Sequence, residues 1–256
     1  MNSKLSAVII TFNEERNIQR CIESLLPVAD EIIVVDSFST DRTKEICSTY
    51  PIVFFEQSWQ GYSQAKNFGN SKASNDYIFS IDADESLSES LQKELISLKG
   101  MGFDGNYSVN RLTNYCNKWI YHSGWFPDWN TRLFSKMNSS WNNAIVHEEL
   151  IHGKVTKTAK LNGLLFHFSY FSVNQHKEKA DKYSLLTAKK YFTQNKKVSF
   201  LSPYLSAFIR FCSMYFLKLG FLDGFSGLMI AKISAQSNIV KYKELQRLYR
   251  EKETIY

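Results

Sequence analysis

The sequence predicts an α/β fold, a mixed and mostly parallel sheet flanked by helices, followed by a helical C-terminal extension. Three observations point there. Short apolar runs alternate with segments of helical period through the first hundred residues, the pattern that βαβ units and a parallel sheet impose. Only 11 glycines and 4 prolines occur in 256 residues, too few for an all-β chain that turns back on itself many times. Charge is unevenly divided: residues 1–150 carry 13 Lys/Arg against 19 Asp/Glu, and residues 151–256 carry 18 against 6, so the two parts face different surroundings. With 44% hydrophobic and 22% charged residues the chain can bury a sizeable core, and collagen-like, coiled-coil and disordered classes are excluded.

The elements follow in order. Apolar runs at 7–10, 32–35 and 52–55 read as strands, with helical segments at 14–26 and 41–49 between them. In the first helical segment Ile18, Ile22 and Leu25 fall at i, i+4 and i+7, one stripe to pack on the sheet. A fourth strand at 77–81 runs into Asp82-Ala83-Asp84-Glu85, and a further helix covers about 89–99. Three strand ends are therefore polar: 11–14, 36–41 and 82–84. In an open α/β sheet ligands bind outside the carboxyl ends of the strands, so these three should converge on one crevice. No GxGxxG or GxxxxGK[ST] loop follows the first strand, which argues against a dinucleotide fold or a P-loop NTPase. Cys21, Cys47, Cys116 and Cys212 show no CxxC spacing and read as reduced, buried thiols of a cytosolic protein. The N-terminus reads without a signal peptide.

Asp82 and Asp84 can aim hard oxygen ligands at a divalent cation while leaving positions for phosphate oxygens and water. A bare DxD is a weak signal, because acidic pairs in turns are mostly solvated. Here it closes an ordered series: Val8-Ile-Ile-Thr-Phe-Asn-Glu14, Val34-Val-Asp-Ser-Phe-Ser-Thr-Asp-Arg-Thr43, Gln64-Ala-Lys-Asn67 and Ile81-Asp-Ala-Asp84. That series resembles the nucleotide-sugar half of family 2 glycosyltransferases of GT-A fold. The resemblance implies a nucleotide-diphosphate sugar donor and Mg2+ or Mn2+. It implies that Thr11, Phe12, Asn13 and Glu14 line the base and ribose, that Asp36 accepts from the base, and that Asp82 approaches the ribose with Ala83 beside it. Asp84 then binds the metal, and Lys66 stands near the diphosphate as a compact point charge. Asp36 reads as a donor contact in preference to a helix cap; Asp41 reads as the cap.

Residues 115–141 gather Tyr115, Trp119, Tyr121, Trp125, Phe126, Trp129 and Trp141. Most of these rings read as core, with Trp125 and Trp129 the candidates for a sugar platform. Thr131-Arg-Leu-Phe134 resembles the family's R-L-F strand, which makes Arg132 an acceptor or diphosphate contact; its plainer reading is a surface ion pair. Inverting transfer needs one base to take the acceptor proton. Ile145-Val-His-Glu-Glu-Leu150 resembles the segment that carries it in lipopolysaccharide-core members, and strand alternation favours Glu148 over Glu149. His167 stands in an apolar run, where a histidine is more often a satisfied core residue, but the resemblance implies a metal ligand beside Asp84. His122, His147, His152 and His176 gain no such role.

The expected organisation is a catalytic domain at 1–172, with a donor half at 1–100 and an acceptor half at 101–172, and a basic, aromatic-rich helical extension at 173–256. The window 201–222 is interrupted by Pro203, Arg210 and Lys218 and falls short of a span of about 20 apolar residues. Basic and aromatic residues together suit an anionic membrane surface; the alternative is a hairpin packed on the catalytic domain with a solvated basic face. No motif for reading nucleic acid accompanies the charge. Residues 220–227 and 241–245 resemble the C-terminal part of bacterial lipopolysaccharide core β-glucosyltransferases. The expectation is an inverting hexosyltransferase, using UDP-glucose and a lipid-linked saccharide acceptor, at the inner face of the bacterial cytoplasmic membrane. Its rivals are a sugar nucleotidyltransferase, which wants a glycine-rich loop after the first strand, and an inactive membrane-associated scaffold.

Overall fold

The computed structural model describes residues 3–142, 149–153 and 157–254. The chain forms two compact bodies. One comprises the residues up to Leu112 together with Asp128–Phe168; the other comprises Thr113–Pro127 and the residues from Ser169 onward. This division departs from the linear expectation of a boundary at 172. Residues 113–127, expected in the acceptor half, pack instead with the C-terminal helices.

In the first body, β1 (Leu5–Thr11), α1 (Ile18–Leu25), β2 (Glu31–Asp36), α2 (Thr43–Cys47), β3 (Val53–Glu56), α3 (Tyr62–Lys72) and β4 (Tyr77–Asp82) form the parallel part. β1 pairs in parallel with β2, setting Thr11 opposite Asp36, and with β4, setting Ile10 opposite Asp82. Every residue of β1 is buried, as a strand covered on both faces requires. Next come β5 (Glu85–Leu87), α4 (Glu89–Met101) and β6 (Asn106–Tyr115), which continues into the second body; β7 (Lys118–Trp119) lies there. β8 (Trp129–Ser135), β9 (Ser139–Trp141), β10 (Leu150–His152) and β11 (Thr158–Tyr170) follow. The sheet order is β3-β2-β1-β4-β8-β6-β11-β5. β8 runs antiparallel to β4, and β5 pairs antiparallel with β11, placing Glu85 opposite His167. β9 and β10 form a separate antiparallel pair.

The first helix begins later than its period suggests. Asn13 takes a left-handed φ of 55°, and the amides of Glu14 and Glu15 donate to Thr43 Oγ1 and Asp41 Oδ2, so the segment up to Asn17 serves the strand ends. From Ile18 the expected stripe is buried, with Ile18, Cys21, Ile22 and Leu25 facing the sheet. α3 had no apolar stripe to announce it. It packs on β1 and β2 through Gly69, where a β-carbon would overlap the Val8 side chain and lie 3.1 Å from Val35 Cγ2. α4 starts where expected, because Ser88 Oγ accepts from the Leu91 amide, an N-cap contact of about 1 kcal/mol.

The second body contains α5 (Val173–Thr193), α6 (Ser202–Cys212), a π turn at Ser213–Leu217, a 3-10 turn at Gly220–Asp223 and α7 (Gly224–Thr254). Its core gathers Tyr115, Ile120, Met214, Ile230 and Ala231. Buried Asp223 accepts from the backbone amides of Tyr121 and His122, and Lys118 donates to its carbonyl at 2.6 Å. The left-handed backbone of Leu219 (φ 54°) and Gly224 (φ 60°) turns the chain between α6 and α7.

Candidate active site

The polar ends of β1, β2 and β4 lie side by side, as the parallel register requires. Two of them are locked together. Asn13 Oδ1 accepts from the Thr40 amide at 2.8 Å, the Asn13 amide donates to Ser39 Oγ at 2.8 Å, and the Arg42 amide donates to Glu15. Asp41 accepts from the backbone and hydroxyl of Thr43, the capping role expected of it. Asp36 is buried, and its two oxygens accept from the amide and hydroxyl of Ser39 at 2.7 and 2.5 Å; in this structure it also closes a turn. Thr11 Oγ1 is buried without a hydrogen-bond partner among the described residues. Phe12 and Phe38 stand more than half exposed on these loops.

Beneath the rim lies a charge network. Asp82 is half-buried, its Oδ1 3.2 Å from Lys66 Nζ and its Oδ2 3.2 Å from an Arg132 nitrogen. Burial would raise the Asp82 carboxyl, but the charges of Lys66, Arg132 and Arg111 outweigh it and hold the group well below the usual carboxylate range. Arg132 also reaches Glu85 at 2.6 Å, and Arg111 joins Glu85 at 3.3 Å to Asp128 at 2.8 Å. The Asp82 amide donates to Glu85 at 3.0 Å. Glu85 is a fully buried anion that the sequence reading missed; the signal for it was the third acid in Asp82-Ala83-Asp84-Glu85.

This geometry revises several expectations. Lys66 is buried, under the face of Trp141 at 4.7 Å as well as beside Asp82. Arg132 is no surface ion pair, because it is buried between two carboxylates. Trp125 is packed in the second body, edge-on to Tyr115 at 5.8 Å and near His176 at 5.7 Å, which is a core role. Trp129 belongs to the first body and is 38% exposed, with Lys160 Nζ 4.5 Å from its ring centre. Ala83 is buried and its amide donates to the Ile10 carbonyl at 3.2 Å. Glu14 accepts from Asn17 at 2.7 Å. Glu148, the expected base, lies outside the described residues; Glu149 is exposed at the foot of β10.

The two candidate metal ligands stand together. His167 Nε2 lies 3.2 Å from Asp84 Oδ2, both side chains mostly buried. The antiparallel pairing of β11 with β5 carries His167 to the turn that holds Asp84, and the Phe168 amide donates to the Asp84 carbonyl at 2.8 Å. One carboxylate and one imidazole leave open positions for phosphate oxygens and water, a donor set that fits a divalent cation held jointly with a diphosphate. Among the described residues no cluster of three or more His, Cys, Asp or Glu forms an all-protein cage.

The family model for glycosyl transferase family 2 matches residues 6–164. The chain belongs to this family. It is accordingly a glycosyltransferase, and its sheet with the acidic turn after β4 is the GT-A fold. An uncharacterized glycosyltransferase of Rickettsia typhi is 33% identical over 96% of this chain and 87% of its own length. The lipopolysaccharide core biosynthesis glycosyltransferase LpsC of Rhizobium meliloti is 30% identical over 90% of each. Among solved structures, Staphylococcus aureus TarS 1-349 is similar over 97% of this chain and 92% of that one, at 13% identity and a TM-score of 0.45.

Proposed function

We propose that this family 2 glycosyltransferase moves a hexose, glucose from UDP-glucose, with inversion onto a hydroxyl of a lipid-linked saccharide. The observation that carries the reading is the Asp84–His167 pair at the carboxyl rim of the parallel strands. Thr11 to Glu14 and Asp36 line the base and ribose, and the unpartnered Thr11 hydroxyl is a group that a ligand can satisfy. Asp84 and His167 would hold Mg2+ or Mn2+, which would supply positive charge for a departing diphosphate. The paired cations Lys66 and Arg132 fix Asp82 as an anion oriented by two ion pairs, so that it presents a preorganised acceptor to the ribose.

Glu148 is the base. It takes the acceptor hydroxyl proton as that oxygen bonds to the anomeric carbon, whose bond to the diphosphate breaks with the electron pair leaving on the nucleotide. Trp129 offers an exposed ring to an acceptor sugar. The likeness to LpsC supports a place in lipopolysaccharide core or a similar envelope glycan, assembled at the inner face of the cytoplasmic membrane.

Calorimetry with UDP-glucose in manganese, together with assay of UDP release, tests this. Asp84→Ala should lose the manganese-dependent part of donor binding, and Glu148→Gln should keep donor binding but lose turnover by about a hundred- to ten-thousand-fold. Donor binding that is unaltered in Asp84→Ala would overturn the metal assignment, and loss of donor affinity in Glu148→Gln would overturn the base.

A further inference from the structure

α6 is built inside out. Its exposed positions are Tyr204, Leu205, Phe208, Ile209 and Arg210; the four apolar ones, with exposed Leu201 at the N-cap, are spaced as one helix face, while Pro203 and Ala207 are buried and Ser206 offers its carbonyl to Asn238 of α7. A helix packed on a soluble core turns its large apolar residues inward. Here Phe208 is 67% exposed and the small residues face the bundle. Further along the chain Phe216 and Leu217, and Phe225 at the start of α7, are each more than half exposed. So many large apolar side chains left exposed on one short stretch of chain mark an interaction site.

Its charge says what covers it. Between residues 199 and 224 the charged residues are Arg210, Lys218 and Asp223, and the one acid, Asp223, is buried. Beside the face lies a groove of about 940 Å³, lined by Lys197, Lys243 and Arg250 with the rings of Phe200, Tyr204 and Tyr249 and, among the described residues, by no acidic one. Tyr204 belongs to both groove and face, and exposed Phe200 lies next to Leu201 in the chain, so the apolar and cationic surfaces adjoin. A second copy would bring together two surfaces from a segment carrying 18 Lys/Arg against 6 Asp/Glu; an anionic lipid leaflet complements both parts.

We propose that α6 and the turn after it insert their outward apolar face into one leaflet of an anionic phospholipid membrane, with the Lys197–Lys243–Arg250 groove taking headgroup phosphates. The inference deepens the membrane-bound acceptor read above and rests on it only for its biological setting. Insertion is shallow. The helical face of α6 is about 16 Å long, and no single described helix is long and apolar enough to cross a membrane. Taken together α6 and α7 have the composition of a span, but they are bent by 72°. Asp223, bonded to the Tyr121 and His122 amides, and the Ser123 amide bonded to the Lys218 carbonyl brace that bend.

Flotation of the full chain with vesicles of phosphatidylcholine, with and without an equal part of phosphatidylglycerol, tests this. Binding should need phosphatidylglycerol and weaken with salt. Phe208→Asp should lower partition by about tenfold or more, and Lys197→Glu with Lys243→Glu by about fivefold or more for each charge. Retention of wild type in the bottom fraction at low salt, or equal flotation with both vesicles, would overturn the proposal. So would a wild-type dimer in sedimentation velocity that Phe208→Asp dissociates, or resistance to alkaline carbonate extraction, the mark of a span. Donor binding measured on the same preparations separates this outcome from failure of the transferase reading.

Discussion

Arg132→Met removes the cation between two carboxylates and leaves the packing volume nearly intact. Arg132 has a side chain only 5% exposed and faces Glu85, which is fully buried, at 2.6 Å and Asp82 at 3.2 Å. Taking one partner from a buried ion pair costs about 3–5 kcal/mol, because the remaining charge cannot reach water. Arg111 also reaches Glu85, at 3.3 Å, so the lower end of that range is expected. At about 2–4 °C per kcal/mol for a chain of this size, the melting temperature should fall by roughly 6–12 °C, read by circular dichroism. Adding Glu85→Gln removes the stranded anion and should recover about 1–3 kcal/mol, a coupling that a double-mutant cycle isolates. A melting temperature for Arg132→Met within about 2 °C of wild type, less than 1 kcal/mol on that scale, would refute the reasoning; so would additive single and double variants.

Three further outcomes are expected. Burial, and then the Lys179 charge, push His176 down to about 4; its ring nitrogen meets the Tyr115 hydroxyl at 3.1 Å. The unfolded chain therefore binds this proton first, and up to about 3 kcal/mol of stability should be lost as pH falls from about 6.5 to 4. Urea titrations across that range should show an acid limb that His176→Gln flattens. Gly69→Ala should destabilise by about 1–3 kcal/mol by overpacking against Val8. Gly100→Ala, which meets open space near the end of α4, should leave melting unchanged or raise it by up to about 1 kcal/mol of helix propensity.

The strands were legible because a parallel sheet buried on both faces writes itself as apolar runs, and β1, β2 and β4 fall where those runs are. The stripe of Ile18, Ile22 and Leu25 fixed the packing face of α1 but not its start, since the backbone before it is held by hydrogen bonds to residues 39–43. α3 was illegible as a helix. It is polar, and its fit depends on one glycine meeting Val8. The Asp84–His167 pair, 83 positions apart, came only through family resemblance; no local pattern brings β11 beside β5. The ion pairs of Glu85, Arg111, Arg132 and Asp128 depend on strand order, which a single sequence does not display. The apolar content of α6 was plain in the sequence, whereas the side it faces was not, because 3.6-residue periodicity marks a stripe without saying whether core or lipid receives it.

The interlocking of the segments after β1 and β2 has a consequence for engineering donor preference. Asn13 and Thr40, Glu14 and Thr43, and Glu15 with Asp41 and Arg42 are joined across it by hydrogen bonds. Grafting either segment alone from a relative would strand polar groups on the other, so the smallest exchangeable module is the pair. Recombination breakpoints between residues 17 and 36 should yield poorly folded chimeras, whereas those that carry residues 11–43 as a block should keep the rim intact.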